Sequence, residues 1–321
     1  MLAILGVTFP FFALVLAGYV AARRGLLPLD AIPGLNSFVL YFALPCMLYR
    51  FGAATPVAQL FDGALFLTYL TCALVLVAFV VAASMNRRIG WNDAAFGALV
   101  AAFPNTGFMG VPLLVALLGA AAAGPAIATI LIDLIVTSSL CIALSRLDGA
   151  DQHGAARAAR NALRGVLVNP MPWAIVLGAA SSAIGLALPA ALQQTLGLLA
   201  DAASPVALFT IGAVLARSQF VAARKQSGPL PLRDYLPVAA VKLFVHPLLV
   251  LLVGAAAIRL GVPLDRFSLT VIVLVAALPS ASNVSLLAER FGADNGRIAR
   301  IILLSTAAAF LSFSAAVALL T

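Results

Sequence analysis

The chain has 321 residues, 64% of them hydrophobic and 9% charged, with a formal net charge of +8. A soluble domain carries roughly a quarter charged residues, so a water-facing globule is excluded and lipid is the surrounding that suits these side chains. The cations are scattered through short connections with no aromatic-interleaved patch, which argues against nucleic acid as a partner.

A helix needs about 20 apolar residues to cross a bilayer. Reading by that length gives ten spans, at 2–22, 34–51, 61–84, 93–118, 124–145, 167–185, 196–216, 235–258, 268–290 and 296–320. The first run is too long for the core of a secretory leader and has no basic segment before it, so it reads as a span. The second opens with Asn36 and Ser37 and holds Pro45; these three read as cavity-lining or packing groups. The fourth reads AAFPNTGFMG around Pro104, and the fifth carries Asp133 near its middle. The connection at 146–166 is the longest and most polar; it holds His153, read as solvated, and divides the chain into residues 1–145 and 167–321, five spans each. The seventh span holds Pro205, with Asp201 near its outer end as a solvated or capping group. The eighth carries Lys242 and His246 one turn apart. The ninth reads AALPSASNVS around Pro279. Cys46, Cys72 and Cys141 lie in apolar runs without metal or redox spacing and read as small core residues.

Connections one, three, five, seven and nine hold fifteen of the nineteen Lys and Arg residues. The other side holds Arg50, Arg259 and Arg266, and Lys242 lies within a span. This bias predicts a multi-pass protein of the cell inner (plasma) membrane with both termini outside. An odd number of spans per half makes the second half enter the membrane inverted, as an inverted repeat requires. The matched prolines of spans two and seven, and of four and nine, support that repeat.

Pro104 and Pro279 each lack an N–H and clash with the carbonyl one turn earlier. The polar residues that follow, Asn105, Thr106 and Gly107 in one span and Ser280, Ser282 and Asn283 in the other, can satisfy the freed backbone groups. Either the two helices are kinked, or they are discontinuous and cross. Discontinuous helices expose N-termini that carry partial positive charge and free N–H groups, and two of them converging would bind an anion, typically a carboxylate. Lys242 either snorkels to the interface or packs on the crossing, where it supplies fixed positive charge or pairs with Asp133. His246 reads as a hydrogen-bonded structural group or a proton carrier. No HExxH, Walker, GxSxG or metal-spaced cysteine pattern occurs. The protein therefore reads as no enzyme, without cofactor or metal, driven by a gradient of H+ or Na+ or running passively.

These residues resemble the auxin efflux carrier family, which includes plant PIN carriers and bacterial malonate and malate permeases. The likeness rests on Leu44–Pro45, on the PNTG of Pro104 to Gly107, on Lys242 to Pro247, and on Ala277-Leu278-Pro279 with Glu289 and Arg290 downstream. It spans the whole chain. It implies an all-α membrane protein with a five-plus-five inverted repeat like that of bile-acid symporters and sodium–proton antiporters. Spans 1, 2, 6 and 7 would form a scaffold, often dimeric. Spans 3–5 and 8–10 would form a transport domain that moves as an elevator. In the PIN carriers the asparagine after the crossover proline contacts the substrate carboxylate, and Asn105 matches it; the family varies at Asn283. Phe103 stands where the plant carriers have asparagine, and the long plant loop is missing, so a small anion such as malonate or malate is expected instead of auxin. A sodium-coupled symporter of larger amphipathic anions is the alternative, with Thr106, Ser280, Ser282, Asn283 and Asp133 as sodium-binding oxygens. A sensor or channel fits less well, because neither an output domain nor a pore-lining charge ring is visible.

Overall fold

The computed structural model describes residues 2–56, 60, 62–147, 160, 164, 167–224 and 230–321. His153 and Arg157 of the central connection, and Lys225, lie outside them. Helices occupy each of the ten apolar stretches, and no strand occurs among the described residues. In chain order they are α1 (Leu2–Arg23), α2 (Leu29–Ala54), α3 (Gly63–Ser84), α4 (Trp91–Ala102), α5 (Thr106–Leu118), α6 (Ala120–Leu144), α7 (Pro170–Ala183), α8 (Ala190–Arg224), α9 (Leu236–Arg259), α10 (Arg266–Ala277), α11 (Val284–Arg290) and α12 (Asn295–Leu320). Seven of them, α1, α2, α3, α6, α8, α9 and α12, are long and apolar enough to cross a membrane. The chain is thus a helical protein of multi-pass membrane type.

Local chemistry sets the helix ends. Asp62, Asn169, Asp265 and Asp294 each accept a hydrogen bond from a first-turn N–H of the helix that follows, satisfying donors that have no intrahelical partner. Gly119, at φ +86°, adopts the left-handed conformation that glycine tolerates. It alone separates α5 from α6, where sequence leaves the boundary least marked.

Small residues let helices approach closely, as they do in membranes generally. Gly18 of α1 faces the Phe209 carbonyl of α8, and Gly212 of α8 faces the Val15 carbonyl of α1. A Cβ at Gly178 of α7 would strike the Tyr49 carbonyl of α2, and one at Gly52 would lie 3.0 Å from the Ile175 carbonyl. The pairs α1–α8 and α2–α7 are accordingly among the most intimate in the molecule.

Four helices widen into a π turn, at Val39–Ala43, Thr106–Gly110, Asp133–Thr137 and Val241–Val245. Three of the turns are followed two residues later by proline: Pro45, Pro112 and Pro247. A proline ring collides with the carbonyl four residues back, and a widened turn relieves that collision while the helix continues. Pro45 thus has a structural consequence, a widened α2. At the fourth turn the Ser138 hydroxyl donates to the Asp133 carbonyl at 2.8 Å, as hydroxyls do where a helix ladder loosens.

Candidate functional site

The two proline breaks meet. α4 ends at Ala102 and α10 at Ala277, one residue before the motif residues Phe103-Pro104 and Leu278-Pro279. Both helices are discontinuous, not merely kinked. The extended backbones pair antiparallel at Pro104 and Ser280. The Asn105 N–H donates to the Pro279 carbonyl at 2.8 Å, and the Ala281 N–H donates to the Phe103 carbonyl at 2.9 Å. Each break therefore supplies the hydrogen-bond partner that the other lost with its helix, a requirement wherever water is excluded.

The helical ends beyond the breaks differ. α5 resumes at once, and Asn105 stands at its N-cap with no side-chain capping bond. α11 begins only at Val284 and is seven residues long. A cavity of about 30 Å³ lies against the crossing, room for one or two waters. Asn105, Gly107 and Asn283 line it on one side, and Leu44 of α2 and Met171 of α7 on the other. Asn105 is buried, and no side chain among the described residues bonds its carboxamide. The Thr106 hydroxyl and the Asn283 amide oxygen are likewise without a partner. Ser280 is fully buried and faces away: Ser305 of α12 donates to its hydroxyl at 3.2 Å and accepts from its N–H at 3.2 Å. Ser282 is buried, and its carbonyl accepts from the Ser285 hydroxyl.

Behind the crossing lies a buried polar cluster. The Lys242 ammonium donates to the Ala276 carbonyl at 2.7 Å and lies 3.1 Å from His246 Nδ1. Both side chains are wholly buried, so Lys242 does not snorkel; it caps the last turn of α10, where a cation favours the helix dipole. Asp133 is also wholly buried and accepts from the Tyr69 hydroxyl at 3.2 Å and the Thr137 hydroxyl at 3.1 Å. The Tyr69 ring lies 6.1 Å from the His246 ring, so Tyr69 stands between the two halves of the cluster. Asp133 and Lys242 are not in ion-pair contact.

Asn36 and Pro45 fall outside the lining of the crossing. Asn36 instead lines a second cavity of about 240 Å³ between α2, α8, α11 and α12. Asp201 forms an exposed pair with Arg50 at 2.6 Å, a contact of small energetic weight. Cys72 and Cys141 are buried and Cys46 partly so.

Three groups escaped sequence reasoning. Tyr69 and Ser305 sit in apolar spans, and only the scarcity of polar atoms there marks them. Arg297 counts by sequence as a connection cation, yet it is 2% exposed inside the first turn of α12. It donates to the Asp234 carbonyl at 2.6 Å and the Asp93 carbonyl at 2.8 Å, and Gly97 of α4 leaves the space it occupies.

A multi-pass helical bundle built around two paired helix breaks, with an unpartnered carboxamide at their junction, is an architecture suited to a membrane transporter. The chain belongs to the family of membrane transport proteins known as the auxin efflux carrier family, which it matches over residues 3–317. It is 30% identical over 304 residues to a Rhizobium meliloti (strain 1021) protein named "Putative malonate transporter", covering 94% of this chain and 91% of the relative. It is 29% identical over 298 residues to the Escherichia coli (strain K12) "Uncharacterized transporter YfdV", covering 89% and 88%. An "Uncharacterized transporter" of Methanothermobacter thermautotrophicus is 27% identical over 297 residues.

Proposed function

We propose that the protein is an elevator-type secondary carrier of a small organic anion, a carboxylate of the malonate or malate class, bound at the paired breaks. The observation that carries this reading is the Asn105 carboxamide, which faces the crossing cavity with no protein partner at the N-terminus of α5. First-turn N–H groups have no intrahelical acceptor and carry partial positive charge, so a carboxylate there would gain both backbone and side-chain donors. The name of the Rhizobium meliloti relative favours the same substrate class.

The reading takes the ten helical stretches as ten spans in two inverted halves, with the termini outside and fifteen cations inside. The contact pairs α1–α8 and α2–α7 exchange under such a repeat, which supports it. Spans 1, 2, 6 and 7 would be the scaffold and the site of homodimer contact; the crossing would ride on the remainder. At about 30 Å³ the crossing cavity is too small for a dicarboxylate, so Leu44 and Met171 must separate from it for substrate to enter. Lys242, His246, Tyr69 and Asp133 form a buried route for a coupling proton. The test is uptake of radiolabelled malonate by purified protein in liposomes. Wild type accumulates it and Asn105→Ala does not, although it elutes as a monodisperse folded protein. Normal uptake by the variant removes the assigned site.

A second reading, sodium-coupled symport of larger amphipathic anions, draws on the unpartnered oxygens of Thr106 and Asn283, since sodium takes several oxygen ligands. Uptake unchanged when choline replaces sodium excludes it.

A further inference from the structure

The larger cavity has a chemistry that the crossing lacks. It is bounded by the first turns of α2, the last turns of α8, Ser285 and Glu289 one turn apart on α11, and the start of α12, and its volume is about 240 Å³. Its lining includes Arg217, Asn36, Ser37, Ser218, Ser285 and Asn295, with Glu289 also at the wall. Arg217 is half-buried, and no acidic side chain among the described residues lies within 4 Å of it. A guanidinium out of bulk water is ordinarily paired, and its planar fork matches a carboxylate with two parallel hydrogen bonds. The Asn295 amide oxygen at the same wall is buried and unpartnered; being an acceptor it calls for a water there, while the amide nitrogen beside it can donate to an anion.

From these groups we infer that the cavity is a second carboxylate site, a waiting position in which Arg217 grips one carboxylate of a small dicarboxylate before it reaches the crossing. Ser37, Ser218 and the Asn36 and Asn295 amides surround the rest of the anion with neutral hydrogen-bonding groups. Glu289 disfavours it: it places a negative charge on α11, the helix that leaves the second break, and so keeps the affinity low enough for onward transfer. The walls come from both of the bodies that slide in the proposed elevator, α2 and α8 on one side, α11 and α12 on the other, so the site exists only in conformations like this one. The inference rests on the carboxylate reading of the crossing but uses none of its residues.

The experiment is equilibrium binding of radiolabelled malonate to the purified full-length protein in detergent, alongside liposome uptake. In the Asn105→Ala background, which disables the crossing, binding of about one malonate per chain remains. Adding Arg217→Gln abolishes it, whereas Arg217→Lys leaves a weakened site. Alone, Arg217→Gln raises the KM for uptake about tenfold, the scale of one lost hydrogen bond to a charged group, and leaves kcat within a factor of about two. Glu289→Gln tightens binding. If Asn105→Ala binds no malonate while wild type transports it, or if Arg217→Gln leaves KM unchanged, the waiting site is overturned and the crossing stands. If wild type neither binds nor transports any carboxylate, the crossing reading fails and takes the second site with it.

Discussion

The two breaks begin alike and end differently. Asn105 and Ser280 each follow a proline, each follows a helix that stops three residues earlier, and each lies in the antiparallel pair. Asn105 lines the crossing cavity, and its carboxamide makes no capping bond and has no side-chain partner among the described residues. Ser280 turns into the protein and is held by Ser305. The preceding turn of the second break is fixed as well, through the Lys242 ammonium on the Ala276 carbonyl. One arm is thus free to recognise a ligand, while the other is tied down and serves as the surface against which the first is positioned. A binding site at depth in a membrane needs both, because a donor is useful only where its geometry is set in advance.

The largest test of this asymmetry compares alanine replacements at the two equivalent positions. Asn105→Ala removes donors to a carboxylate, at about 1.5–3 kcal/mol for a hydrogen bond to a charged group, and is expected to lower malonate uptake about 100-fold with little change in unfolding. Ser280→Ala is expected to leave uptake within a few-fold of wild type and to lower resistance to denaturant. Liposome uptake and unfolding in detergent, measured on the same preparations, separate the two. Equal effects on transport would mean that both arms bind.

How much of this was readable beforehand follows from locality. The breaks were legible because a missing N–H and a ring clash act within one turn, and Pro104 and Pro279 show both directly. The approach of Lys242 to the crossing was one of two readings open in the sequence, since an ammonium in an apolar span either snorkels to the interface or finds an acceptor at depth, and only the fold brings the Ala276 carbonyl within its reach. The different fates of Asn105 and Ser280 were not, since Ser305 lies 25 residues downstream of Ser280 and nothing local orients a serine. Pro45 read as a cavity-lining or packing group, and the widened turn before it is a consequence that only the structure reveals. Arg297 counted as a cation of the ninth connection because the gap that receives it is made by a missing side chain, Gly97, on another helix.

The next effect concerns the fit between the arms. A Cβ at Gly110 would lie 2.5 Å from Leu278 Cδ1 and 3.2 Å from Thr106 Cγ2. Leu278 is fully buried beside the second proline and has little room to rotate away. Gly110→Leu is therefore expected to cost about 2 kcal/mol, within the usual range for overpacking, and to reduce uptake by forcing the arms apart. Denaturant unfolding measures the first effect. A stability like that of wild type would show that the arms are not rigidly fitted.

Removing the anchor itself tests the second arm. Lys242→Met retains most of the buried volume and ends the desolvation penalty of the ammonium, but leaves the Ala276 carbonyl without its donor. These terms oppose each other, so stability is expected to change little, while transport falls about tenfold, the scale of one charge-assisted bond. A variant that transports normally would show that Ala276 needs no cation, and the tied-down character of the second arm would then rest on its backbone pairing with the first and on Ser305.

That last contact should be the weakest. Ser305→Ala deletes the hydroxyl that bonds both the Ser280 N–H and its side chain, but interhelical hydrogen bonds in membranes average only about 0.6 kcal/mol. A loss of that order is expected, with uptake nearly unchanged. The informative quantity is the coupling in the cycle Ser280→Ala, Ser305→Ala and the double variant. Removal of both hydroxyls still leaves the Ser280 N–H unpaired, so the double variant should be less stable than wild type yet lose less than the two single losses added together. Strict additivity would mean that the serines do not act on each other, and that the second arm is held by its backbone pairing with the first.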